Sequence, residues 1–94
     1  MVNKREEIPR QYHKEVNSMK KAKINLNSIP AVKEFVNLVM LYDFDVDLVS
    51  GRYSVDAKSI MGIFSLNLDN PIQLVAHTDE PGDFFEKIAK FVVD

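Results

Sequence analysis

The run from Phe44 to Asp56 constrains the fold more than any other part of the chain. Phe44, Val46 and Leu48 alternate with Asp45 and Asp47. A period of two puts apolar side chains on one face of an extended strand and carboxylates on the other. Tyr53 and Val55 alternate with Ser54 and Asp56 in the same way, and Ser50-Gly51 between the two runs supplies a turn. The segment therefore predicts a β-hairpin with one apolar face. Such a hairpin is not stable alone, so the rest of the chain must provide more strands and a cover.

The remaining pattern supplies both. From Lys20 to Leu26, Ala22, Ile24 and Leu26 alternate with Lys21, Lys23 and Asn25, which predicts a half-buried strand. Asn27-Ser28-Ile29-Pro30 then reads as a helix start. Ser28 can accept a bond from a free first-turn amide, and proline is tolerated where amides have no internal partner. Ile29, Val32, Val36, Val39 and Met40 follow at helical spacing with Phe35 beside them. They predict an amphipathic helix of about three turns ending near Leu41. Lys58 to Leu66 is short and densely apolar, and predicts a helix of about two turns starting at Ser59. Asp69-Asn70-Pro71 is a turn, and Ile72, Leu74 and Ala76 mark a last strand. Pro81 opens a final helix with Phe84, Phe85, Ile88, Ala89 and Val92 as its stripe.

The order is β-α-β-β-α-β-α. Amphipathic helices each need a surface to cover, and alternating strands offer one apolar face. The economical solution is an α+β open-faced sandwich: a four-stranded antiparallel sheet with helices on one face. Residues 1–17 are polar, contain Pro9 and show no period, so they are expected to be an N-terminal extension to a domain spanning residues 18–94.

Composition narrows the function classes. The chain has 94 residues and no cysteine, which excludes disulfides, thiolate zinc sites and cysteine nucleophiles. No apolar run approaches the ~20 residues that span a bilayer, and the charged N-terminus does not resemble a secretion signal, so no membrane contact and a cytoplasmic location are expected. Residues 1–21 hold six basic and three acidic side chains, whereas residues 22–94 hold six basic and eleven acidic ones. The folded part therefore lacks the basic face that direct nucleic-acid binding needs. His13 and His77 show no metal-ligand spacing, and no metal or cofactor is expected.

Residues 42–66 resemble, without a gap, the second strand, hairpin and short helix of the HPr family, the phosphocarriers of bacterial sugar transport. Lys58-Ser59-Ile60-Met61-Gly62 matches that family's regulatory-serine motif. The resemblance covers residues 20–94 and implies the HPr-like fold. It also implies an active-site segment at residues 26–32, where a phosphocarrier has a glycine, then a histidine, then an alanine and an arginine. Here Leu26 stands at the glycine position, Ser28 at the phosphohistidine position and Pro30 at the arginine position. A serine phosphate is a stable ester and a poor relay intermediate, and without the arginine its charge loses its main cationic partner. Phosphate relay, and catalysis of any kind, is therefore not expected at this site. Ser28 reads instead as a helix cap.

What the resemblance implies then shifts to Ser59. In low-GC Gram-positive members the matching serine is phosphorylated by an ATP-dependent kinase, and the modified protein binds a transcriptional regulator in carbon catabolite repression. Catabolite-repression HPr keeps that serine while lacking the histidine, and this chain is similar in that logic. Ser59 is thus both a cap and a candidate regulatory phosphorylation site. Lys58, Ile60, Met61 and Phe64 are candidate partner-binding residues, with Phe64 where a second methionine is common in the family. Ile60 and Ile63 are expected to be partly core. The partners implied are proteins: the serine kinase, a transcriptional regulator, or other phosphotransferase-system proteins. Two alternatives stand beside this reading: a phosphocarrier of the sugar phosphotransferase system, and a binding domain that keeps the fold without either phosphorylation.

Overall fold

A computed structural model describes residues 19–93. The expected extension at residues 1–17, with His13, lies outside the described residues. The strands are β1 (Met19–Ile24), β2 (Val46–Ser50), β3 (Tyr53–Asp56), β4 (Ile72–His77) and β5 (Val92–Val93). The helices are α1 (Ile29–Val39), α2 (Ile60–Phe64) and α3 (Phe84–Lys87), the last followed by a 3₁₀ turn at Ala89–Phe91. The strands form one antiparallel sheet in the order β3-β2-β4-β1-β5.

The hairpin forms, although Tyr53, expected on its apolar face, is 68% exposed because it sits beside the turn at the sheet edge. Leu48 pairs with Val55 and Ser50 with Tyr53, and Gly51 turns the chain at φ 63°, a conformation open to glycine without a Cβ penalty. Ile24, Val46, Leu48, Ile72, Leu74 and Ala76 point to one face of the sheet and join a single buried cluster. Val32, Phe35, Val36 and Val39 of α1, Ile63 of α2, and Phe84 and Ile88 complete that cluster, so all the helices cover the same face. Each of these large side chains contributes about 1.5–3 kcal/mol through burial. The other face carries Lys21, Lys23, Asp47, Val49, Gln73 and Val75. Val75 is nevertheless buried, because it lies on the central strand between Asp47 and Lys21. This is the expected open-faced α+β sandwich.

Three further details differ from expectation. The sheet has five strands rather than four, because Val92 and Val93 pair with Ile24 and Lys23. The final helix does not run from Pro81 to Val92: α3 is one turn, starting at Phe84, and Ala89 and Val92 are exposed. Ile29 and Met40, read as part of the α1 stripe, are 60% and 62% exposed, because each sits at an end of the helix beyond the sheet face it covers.

Candidate functional site

The two serines singled out by the sequence both cap helices. Ser28 is extended (φ −151°, ψ 157°), and its Oγ accepts a 3.2 Å bond from the Ala31 amide. Pro30 occupies the first turn of α1, where an amide would have no partner inside the helix. Leu26, two residues before Ser28, is fully buried. The segment from Leu26 to Pro30 is thus held by a core anchor and a cap, and no cationic side chain lies within it.

Ser59 caps α2. Its Oγ accepts a 3.0 Å bond from the Gly62 amide, and its backbone amide donates to the Asp56 carbonyl at 3.0 Å. The Asp56 carboxylate in turn accepts from the Lys58 amide at 2.9 Å, so the turn leading into α2 is bonded on both sides. Gly62 makes the geometry possible: a Cβ there would lie 3.2 Å from both Ser59 Oγ and Val55 Cβ.

The short helix has one anchor and three outward apolar side chains. Ile63 is fully buried as expected, but Ile60, expected to be partly core, is 36% exposed and joins Phe64 (41%) and Met61 (81%) on the outer side of a helix too short to bury a second side chain. Lys58 is half-buried and turns its ammonium onto the Tyr42 carbonyl at 3.0 Å. The structure therefore gathers Lys58, Ser59, Ile60, Met61 and Phe64 into one patch.

His77 and Ser28 are not brought together. Met19 pairs with His77 and Ile24 with Ile72, so His77 lies at one end of β1 and the approach to Ser28 at the other, ~17 Å of strand apart. His77 Nε2 instead bonds Asp47 Oδ2 at 2.9 Å on the open face. This bond helps to offset two carboxylates, Asp47 and Asp56, placed directly opposite each other across β2 and β3.

Sequence reading missed the group to which Lys58 is tied through the Tyr42 carbonyl. The Tyr42 phenol donates to Asp83 Oδ1 at 2.6 Å, and Tyr42, Phe44 and Phe84 pack with ring centroids 5.1–5.5 Å apart. Tyr42 lies inside the segment whose sequence resembles that of HPr proteins, but nothing in the linear pattern links it to Asp83. Among the described residues no cluster of metal-ligating side chains occurs, and no helix is long and apolar enough to cross a membrane.

The architecture is the HPr-like fold. The chain is similar to HPr-C-His from Thermoanaerobacter tengcongensis, with 26% identity over 77% of this chain and 86% of that one, at a TM-score of 0.61. It is also similar to the phosphocarrier protein HPr from Bacillus anthracis str. Ames, with 25% identity over 80% of this chain and 95% of that one, at a TM-score of 0.60. No protein-family model matches the sequence, and no curated protein matches it.

Proposed function

We propose that this chain is an HPr-like protein related to the phosphoenolpyruvate-dependent sugar phosphotransferase system, with a regulatory and non-catalytic role. In this reading Ser59 is phosphorylated by a serine kinase of the HPr type. The modified patch then docks a protein partner, such as a transcriptional regulator of carbon catabolite control. Likeness to two HPr structures supports the system. The observation that carries the regulatory role is the patch itself: a half-buried serine hydroxyl at a helix start, flanked by the exposed side chains of Met61 and Phe64. Methionine suits adaptable contacts because its side chain is unbranched and polarisable. A phosphate on Ser59 would add negative charge and three acceptor oxygens beside that apolar surface.

The position of the family's phosphohistidine supports the same reading from the other side. Ser28 there is engaged as a cap, with Pro30 following it. The test is to incubate the protein with ATP and an HPr serine kinase and to map the product by mass spectrometry. Phosphate on Ser59, absent in Ser59→Ala, is expected; an unmodified Ser59 overturns the proposal.

The likeness to the phosphocarrier protein from Bacillus anthracis favours a second reading, a phosphocarrier. An acid-labile phosphate formed from phosphoenolpyruvate and enzyme I would establish it. Failure of both assays would leave a binding domain built on the same fold.

A further inference from the structure

Strand β1 is paired along its whole length with β4 on one side, from Met19 opposite His77 to Ile24 opposite Ile72. On its other side, among the described residues, β5 covers only Lys23 and Ile24. The edge from Met19 to Ala22 therefore has no strand partner among the described residues. An open hollow bordered there by Lys21, Ala22, Lys23 and Val92 leaves space beside it. We propose that this edge takes up an extended, acidic segment of another protein as an additional strand in line with β5.

Strand addition draws its affinity from main-chain hydrogen bonds and its selectivity from side chains at alternate positions. The charge of the edge selects the occupant. Residues 19–93 carry eight basic and ten acidic side chains, yet three of the basic ones, Lys20, Lys21 and Lys23, fall on this one strand. The ion pairs among the described residues use Lys90 with Glu34 and His77 with Asp47, not these lysines.

A second copy joined edge to edge would set lysine against lysine at ~4.8 Å strand spacing, and like charges directly opposite are destabilising. Residues 1–18 carry four basic and three acidic side chains, so they bring no acidic surplus. Edge lysines commonly guard a sheet against self-pairing. The same lysines admit a strand that carries carboxylates. Lys21 lies on the open face and Ala22 on the helix-covered face. The fitting segment places an acidic residue across from Lys21 and a small apolar one on the side of Ala22 and Val92.

The test uses the full chain, isotope-labelled, titrated with an extended peptide of alternating aspartate and valine and with its lysine–valine counterpart. The aspartate peptide is expected to shift the amides of Met19–Ala22 and slow their hydrogen exchange, and the lysine peptide to leave them unchanged. The double variant K20E/K21E is expected to weaken the aspartate peptide about tenfold and to bind the lysine peptide instead. Three results would overturn the proposal: shifts confined to α2, a preference unchanged in K20E/K21E, or no binding at millimolar peptide. Edge amides already protected in the free chain would overturn it too. Protection that rises with protein concentration would assign the edge to a second copy, and protection independent of concentration would assign it to the chain's own residues.

Discussion

The Tyr42 hydroxyl donates a 2.6 Å hydrogen bond to Asp83, a residue 41 positions further along the chain. The bond ties the turn after α1 to the loop before α3. The same tyrosine accepts the Lys58 ammonium on its carbonyl at 3.0 Å, so three separate segments meet at one residue. Its ring packs edge-on against Phe84, which is fully buried.

This relationship has a pH signature. The hydrogen bond to Asp83 is the largest influence on Tyr42; desolvation and the negative charges of Asp83 and Glu86 add to it, pushing its pKa from 10.0 up to about 12. A raised folded-state pKa stabilises the fold fully below the unfolded value and loses that contribution as pH climbs through the folded one. Stability should therefore fall between pH 10 and about 12 in the wild type, and this component of the fall should vanish in Tyr42→Phe. Tyrosinate absorbance, taken as the difference between the two proteins, should titrate near 12; a midpoint at 10.0 would refute the assignment.

Ser28→Ala removes the side-chain acceptor for the Ala31 amide. The expected cost is about 1 kcal/mol, with most of it restored in Ser28→Asp, because aspartate caps as well as serine does. Urea unfolding with an unchanged slope measures this directly. Equal stability of Ser28→Ala and the wild type would show that the cap contributes nothing.

Gly62 has less room than its helical position suggests. A Cβ would meet Ser59 Oγ and Val55 Cβ at 3.2 Å each. Alanine gains up to about 1 kcal/mol in helix propensity, which crowding offsets, whereas a leucine must also displace both neighbours. Gly62→Leu should destabilise by about 2 kcal/mol, read as a lower urea midpoint. A fully stable Gly62→Leu would mean that the contact relaxes.

Phe84 and Met61 should behave as opposites. Phe84 is fully buried among Tyr42, Phe44 and Phe85, and Phe84→Ala is expected to cost about 3–5 kcal/mol. Met61 is 81% exposed, and Met61→Ala should change stability by less than about 0.5 kcal/mol while weakening any partner that docks on α2. Denaturant midpoints separate the two effects.

The parts of the fold that were legible in the sequence rest on local chemistry. Asn27-Ser28-Ile29-Pro30 marks a helix start by itself, and the alternation around Ser50-Gly51 marks a hairpin by itself. The misread parts depend on partners far away in sequence. Val92 continues the helical spacing of Phe84 and Ile88, but pairing with Ile24 draws it into the sheet. Ile29 and Met40 keep the period of α1, yet only the sheet decides how much of that period is covered. At the candidate site, Ser59 and Met61 were visible as a motif, whereas the bond from Tyr42 to Asp83 exists only once the chain has folded.

Only Ile63 fastens α2 to the interior, while Met61 and Phe64 stand clear of it. Substitutions on the outer side of this helix therefore leave the domain standing. Sequence on that side of α2 can drift over evolutionary time at little structural risk, so its outer positions are where selection for the fold itself is weakest.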